Sequence, residues 1–316
     1  MPPGDPVTAN SHTLPLVSVV MTTFNGEKFL RQQVDSLLQQ DYPHIEFIFS
    51  DDCSTDTTAQ ILQQYAAEHP SVRLNFNVKN IGYIKNFENA IKLAQGEYIA
   101  LCDQDDIWKP ERISRMMNQR DAADIVYCDS ELINEAGQSL NRNISDIKNL
   151  GDYVSSLPFT IGNCASGHAM LMKKEFALRA MPFPEFVVHD WWLAFCASCE
   201  KGLKFIPLPL VQYRQHSANI LGAVKPESGS RKKQKEREVQ KIRLRINAFH
   251  NRASAVKDPN TAVIHHMVKT YRSFSLSNNF LRMTLFLRHR DAITAIKKRS
   301  PFRRTLFCLK MFFKVI

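Results

Sequence analysis

Hydrophobic and polar positions along the first 130 residues switch repeatedly between two periods. LVSVVMT (16–22) is a short β-branched run of the kind that forms a buried strand, and Asn25-Gly26 breaks it. EKFLRQQVDSLLQQ (27–40) then gathers Phe29, Leu30, Val34, Leu37 and Leu38 on one helical face. HIEFIFS (44–50), VRLNFN (72–77), EYIALC (97–102) and DIVYCDS (124–130) read as further strands. DTTAQILQQYAAEH (56–69), IKNFENAIKLA (84–94) and PERISRMMNQR (110–120) read as the helices between them, the last opened by a first-turn proline. Repeated strand-helix-strand units predict an α/β fold, doubly wound around a mostly parallel sheet. In such sheets ligands bind outside the carboxyl ends of the strands.

Beyond residue 135 the pattern loosens. KKEFALRAM (173–181) and DWWLAFCASCEKG (190–202) read as helices, LKFIP (203–207) and LVQYRQH (210–216) as closing strands. Residues 231–257 form a charged helical stretch, and 261–316 read as further helices. Residues 1–13 are polar and rich in proline, which predicts disorder. The division expected is an α/β body over 14–222, a basic helical linker over 223–260 and a basic amphipathic helical region over 261–316.

Composition sharpens this picture. A chain of 316 residues that is 44% hydrophobic can bury a large core. The start lacks a charged-then-apolar leader, and no uncharged run reaches the ~18 residues of a spanning helix, so neither is expected. The seven scattered cysteines read as reduced cytosolic thiols; Cys196 and Cys199 form a CxxC, but no second pair stands at zinc spacing. Residues 223–316 carry 23 Lys and Arg against 5 Asp and Glu (+18), while 1–222 carry 18 against 26 (−8). An acidic body thus bears a basic tail. Without a recognition module the tail does not predict nucleic-acid binding. Neither GxGxxG nor GxxxxGK[ST] occurs, which argues against glycine-loop phosphate binding.

Four segments carry candidate chemistry. LCDQDDIW (101–108) sets Asp103, Asp105 and Asp106 just after an apolar run; such a group suits a hard cation such as Mg²⁺ or Mn²⁺, or else caps the helix near Pro110. In FSDDCSTDTT the Asp52 carboxylate can accept the N3–H of uracil or thymine, and Asp56 is the alternative helix cap. Asp190, in HDWWLAF, is either a first-turn cap or a general base whose proton affinity apolar rings raise. Arg214 and His216, two residues apart, would share a strand face and grip a phosphate or complete a metal shell, unless that strand is a solvated edge.

Taken in order, VSVVMTTFNG, FSDDCSTDTT, LCDQDDIWKPERI, GHAMLMKKEF, HDWWLAF and YRQHSANILG resemble the successive signatures of family 2 glycosyltransferases with the GT-A fold, over about residues 14–222. CDQDDIW with HDWW and YRQHxxN looks most like the bacterial rhamnosyltransferase group. The resemblance implies a nucleotide-sugar site of Thr23, Phe24, Asn25, Asp51, Asp52, Asp103, Gln104 and Arg214, with Asp52 on the base and Asp51 bracing the loop. It implies Asp105 as direct metal ligand with Asp103 and His216 near the same Mn²⁺ or Mg²⁺, and Asp190 as catalytic base. Gly167, His168, His189, Trp191 and Trp192 would line the donor and acceptor pocket. Two departures stand out: Cys53 where many members have glycine, which costs backbone freedom, and His189 where a carboxylate often precedes the base.

The implied reaction is inverting transfer, favouring L-rhamnose from dTDP-L-rhamnose, with UDP-galactose, UDP-glucose or UDP-GlcNAc as alternative donors. The acceptor would be a saccharide or lipid-linked saccharide in O-antigen or capsule synthesis, at the inner face of the cytoplasmic membrane. A nucleotide-sugar pyrophosphorylase would need a glycine-rich basic loop that VVMTTFNGEKF lacks. A non-catalytic nucleotide-sugar-binding or scaffold protein would not need the full set of acids. IKKRSPFRRTLFCLKMFFKVI (296–316) alternates cationic and large apolar residues. It reads as an in-plane anchor on an anionic leaflet, or as a cap packing on the body or on the second subunit of a homodimer.

Overall fold

The computed structural model describes residues 14–120, 122–216 and 231–313, so the expected disordered start and the end of YRQHSANILG lie outside the described residues. Strands β1 (Val17–Thr23), β2 (Ile45–Asp51), β3 (Val72–Phe76) and β4 (Tyr98–Cys102) lie in the order β3-β2-β1-β4, all parallel. Helices α1 (Glu27–Leu38), α2 (Thr58–Glu68) and α3 (Tyr83–Leu93) make the crossovers. Their buried stripes follow the sequence period: Leu30, Val34 and Leu37 in α1, Ile61 and Leu62 in α2. Thr23 stands opposite Asp51, and Met21 opposite Cys102. Strand ends therefore level off along one edge, where the loops after β1, β2 and β4 meet.

The remainder is β5 (Ile107–Trp108), α4 (Arg112–Asn118), β6 (Ile125–Ile133), β7 (Ser139–Asn143), β8 (Met170–Lys173), α5 (Lys174–Arg179), α6 (His189–Ser198) and β9 (Leu203–Arg214). The sheet continues past β4 as β8-β6-β9-β5, with β7 beside β6. One expectation is corrected, and two strands were unforeseen. The two closing strands expected over 203–207 and 210–216 are one strand, Leu203–Arg214, kept continuous through Pro207 and Pro209 by register shifts against Cys128–Ser130. The hairpin strand β7 is polar and largely exposed, so no alternation betrayed it. The segment before KKEFALRAM is a strand, β8, inserted antiparallel between β4 and β6. Because β8 runs against β4, its beginning faces the edge where the parallel strands end.

The C-terminal helices are α7 (Arg231–Ala255), α8 (Thr261–Tyr271), α9 (Leu276–Arg288), α10 (Arg290–Ile293) and α11 (Pro301–Leu309). Helix α7 is built into the core and is not a linker. Its Phe249 stacks on Phe195 at 4.0 Å and on Trp192 at 6.2 Å, and Ile242, Ile246 and Ala253 join the same buried cluster. At the α7–α8 turn, buried Asp258 accepts bonds from the Ser156 hydroxyl and, at 3.5 Å, the Cys199 thiol. All seven cysteines are free; six are buried. Among the described residues no helix is long and apolar enough to cross a membrane.

Buried Glu88 on α3 ties the parallel half to the segment before α6. It accepts from Lys85 and Lys92, each at 2.9 Å, and from the Phe183 N–H at 3.0 Å. Burial opposes ionisation, but these donors outweigh it and hold the carboxyl down at about 2. A depressed folded-state value means stability that is full above the ordinary glutamate range and is lost as pH falls toward about 2. Glu88→Gln is expected to cost about 1–2 kcal/mol at neutral pH. The gap to wild type should shrink as denaturant unfolding is repeated at lower pH; a gap constant with pH would contradict this.

Candidate active site

The loop after β1 and the loop after β2 are laced together. The Thr23 hydroxyl donates to Asp51 Oδ1 at 2.8 Å, and Ser54 donates to both Asp51 oxygens. Asp51 is thus a brace. Asn25 accepts from the Thr55 N–H through its side chain, and its own N–H reaches the Ser54 hydroxyl. The Gln104 side chain binds Phe24 twice, accepting from its N–H at 2.9 Å and donating to its carbonyl at 3.1 Å. Cys53 lies in the left-handed region at φ 64°, where the missing glycine was noted; such a residue carries about 1–2 kcal/mol of backbone strain.

Asp52 is buried and engaged by its own chain. Oδ1 accepts from Asn77 Nδ2 and the Ile81 N–H, both at 2.9 Å, and Oδ2 from the Gly82 N–H at 2.8 Å. Gly82, at φ 83°, makes the turn that aims these amides inward. A carboxylate offers about four acceptor positions, so one remains for an outside donor.

The acidic loop between β4 and β5 is the electrostatic centre. The His216 imidazole meets Asp105 Oδ2 at 2.8 Å. His168, which ends the segment leading into β8, sets Nδ1 3.6 Å from Asp103 and 3.4 Å from Asp106, with Nε2 3.0 Å from the Ser130 hydroxyl. Burial pushes the Asp106 carboxyl up to about 8, and the charges of Asp105 and Asp103 add to it. Burial and then the Asp103 charge also raise Asp105. Burial works against ionised Asp103, but His168 outweighs it and the carboxyl is held low. For His168 burial disfavours the cation, yet Asp106 and Asp103 win and raise it.

Arg214 has a different task from the expected one. It is buried, and strand β9 ends on it, so it does not share an exposed strand face with His216. Its backbone N–H donates to Asp106 Oδ1 at 3.0 Å, and Nε to the Asp105 carbonyl at 2.8 Å. The two terminal nitrogens reach the Glu135 carbonyl at 2.9 Å and Gln32 Oε1 at 2.5 Å, above the Phe29 ring. Those donors are directed at the chain, so Arg214 clamps four segments together.

Asp190 sits in the first turn of α6, and its Oδ2 accepts from the Gly167 N–H at 3.1 Å. A Cβ on Gly167 would come within 2.9 Å of His189 Nε2, so glycine sets this close approach. His189 is buried, stacked at 4.1 Å on Phe87, and burial lowers its proton affinity. Tyr83 stands edge-on to it at 5.9 Å; burial, then Asp190 and Asp103, raise its phenol. The two tryptophans are scaffold, which corrects the pocket assignment. Trp192 is core, donating to the Ala180 carbonyl at 2.7 Å. Trp191 donates to the Phe159 carbonyl at 2.6 Å and lies 4.4 Å beneath Arg245 of α7.

The donor set fits a divalent cation. Asp103, Asp106 and His168 offer atoms all within 4.8 Å of one another, and buried Asp106 Oδ2 accepts no hydrogen bond. Asp105 with His216, from beyond the end of β9, forms a second oxygen–nitrogen pair. Sequence reasoning placed Asp106 in the acidic group and His168 in the pocket without pairing them, and it missed Tyr83. The third aspartate in CDQDD was the available signal; nothing local marked Tyr83.

The fold and this acid-lined edge define an α/β protein whose candidate site lies at the carboxyl ends of its parallel strands. The Glycosyl transferase family 2 model matches residues 18–177, and the chain belongs to that family. TuaG of Bacillus subtilis, named for teichuronic acid biosynthesis, is 34% identical over 171 residues, covering 53% of this chain and 66% of that protein. The dTDP-rhamnosyl transferase RfbG of Shigella flexneri is 29% identical over 225 residues, covering 64% and 74%. The chain spans less than two thirds of TuaG and as little as 20% of another relative, from Sinorhizobium fredii. Among solved structures, S. aureus TarS 1–349 in complex with UDP-GlcNAc aligns with a TM-score of 0.57 at 15% identity, covering 94% of this chain and 90% of that one. The likeness shows the GT-A fold.

Arg214→Lys removes the fork that joins α1, the acidic loop, the β6–β7 turn and β9. A point charge cannot replace it, and the expected loss is about 2–4 kcal/mol of stability. Denaturant unfolding of the variant checks this, and a shift below 1 kcal/mol, roughly the worth of one neutral bond, would contradict the clamp.

Proposed function

We propose that this protein is an inverting, cation-dependent glycosyltransferase of bacterial surface-polysaccharide synthesis. The observation that carries the reading is the meeting of one base and one acidic loop. Asp190 and Asp103 both act on Tyr83 and His189 although they come from separate parts of the chain. Asp190 draws the proton from an acceptor hydroxyl, held toward the site by the Gly167 amide. Such base assistance is worth about 10²–10⁴-fold in rate. Asp52 keeps an acceptor position for the base N3–H, and Thr23, Phe24 and Asn25 border it. Asp105 with His216, and Asp103 beside them, hold Mn²⁺ or Mg²⁺; Asp106 and His168, both fully buried, brace them from behind. When bound, the cation offsets charge developing on the departing diphosphate.

The favoured donor is dTDP-L-rhamnose, supported by the likeness to RfbG; a UDP-hexose is the alternative, and TarS has been crystallised with UDP-GlcNAc. The acceptor is a saccharide or lipid-linked saccharide. Thermal shift of the purified protein with Mn²⁺ against dTDP-rhamnose, UDP-galactose, UDP-glucose and UDP-GlcNAc ranks the donors.

Asp190→Asn is expected to keep donor affinity and lose about 10²-fold or more in transfer. Near wild-type turnover would remove the base assignment. Asp105→Ala is expected to abolish Mn²⁺-dependent donor binding in calorimetry. Unchanged affinity, or a loss on His168→Gln with none on His216→Gln, would move the cation to the buried group.

A further inference from the structure

Helix α11 and the short turn that continues it through Phe313 are apolar on two faces, and the fold needs only one of them. Cys308 and Met311 are buried against the body, with Phe307 packed beside them. Phe302, Leu306, Leu309 and Phe313 fall four, three and four residues apart and form a single stripe on the other side. That stripe faces solvent: Phe302 is 71% and Phe313 86% exposed, and Leu306 and Leu309 about 40%. Helix α9 lies alongside, fixed by buried Arg282, whose guanidinium donates to the Met311 carbonyl at 3.0 Å and the Thr270 carbonyl at 2.8 Å. It adds exposed Leu276, Phe280 and Leu281. Isolated exposed apolar residues are ordinary, but two adjoining helices offering seven large ones is an unpartnered surface.

Charge names the partner. Exposed Lys298, Arg299, Arg303 and Lys310 flank the stripe. From Ala292 to Ile316 there are seven Lys and Arg and no Asp or Glu. A second copy of this chain would set the same positive charge against itself across a two-fold interface. A sheet of anionic headgroups complements it, each basic residue contributing while the apolar stripe enters the headgroup–acyl boundary. The helix is too short to span, and no described helix spans, which leaves in-plane docking.

We propose that α11, with α9 beside it, docks on an anionic lipid surface through Phe302, Leu306, Leu309 and Phe313 rimmed by Arg299, Arg303 and Lys310. This rests on the C-terminal helices alone and not on the sugar-transfer reading.

The test is co-sedimentation of the full chain with phosphatidylcholine vesicles and with vesicles also containing phosphatidylglycerol, alongside light scattering for oligomeric state. Binding is expected only to the anionic vesicles. Phe302→Ser/Phe313→Ser should lower it by on the order of a hundredfold, and Arg299→Gln/Arg303→Gln by about twentyfold, with thermal midpoints and donor hydrolysis unchanged. No sedimentation with anionic vesicles, equal sedimentation of wild type and both variants, or a dimer that Phe302→Ser/Phe313→Ser splits while vesicles are ignored would each overturn the proposal. Vesicle binding by a chain that hydrolyses no donor would leave docking intact and defeat the sugar-transfer reading instead.

Discussion

Three carboxylates within four residues of one loop repel one another, and the architecture around them is an answer to that repulsion. Asp103, Asp105 and Asp106 gain His168 from the start of β8, His216 from beyond the end of β9, and the Arg214 amide from the end of β9 itself. None of these partners is near them in sequence. They arrive because β8 runs antiparallel between β4 and β6, which brings its first residues to the edge where β4 ends. Pairing of β5 with β9 then joins the acidic loop directly to the strand that carries Arg214. The sheet order is therefore part of the electrostatics.

The parallel half was legible because its signals are local. A β-branched run, a break and a 3.6-residue stripe recur three times, and the burial of Leu30, Val34 and Leu37 follows that stripe. Asp51 as a brace and the strain at Cys53 were legible for the same reason, since a loop's hydrogen bonds and backbone angles lie within a few residues. Arg214 misled because an arginine near a histidine at a strand end has the same local appearance whether its fork faces a ligand or four segments of chain. The tryptophans misled likewise: an aromatic pair after an aspartate looks like a sugar platform, and only the packing of Phe249 against Trp192 makes it core. β8 was hidden because four residues, Met170–Lys173, are too few to show a period before a helix takes over.

The C-terminal third carries a double burden, and its composition reflects it. Phe249, Met267, Tyr271 and Phe286 complete a core that also holds Leu193 and Phe195 of α6. The base-bearing helix is thus backed by residues far along the chain, and a truncation after β9 would uncover the underside of Asp190's own helix. The same region concentrates the basic charge, on faces that core packing leaves free. Core on one side and a basic apolar surface on the other is the arrangement from which the docking proposal is drawn.

Charge segregation also bears on the need for a cation. A nucleotide diphosphate brings negative charge to a body whose first 222 residues carry −8, and to a loop that already holds three aspartates. Proteins usually solve this with a guanidinium fork on the phosphates. Here Arg214 directs side-chain donors at Asp105, Glu135 and Gln32, and buried Arg112 sets one terminal nitrogen on the His168 and Met170 carbonyls. Both guanidiniums hold the surroundings of the loop, and a cation from outside the chain is the proposed source of further positive charge. Asp105, His216 and Asp103 are the groups that would receive it, with buried Asp106 and His168 behind them. The arginines fix the loop's shape, and the acids can then be reserved for a divalent ion.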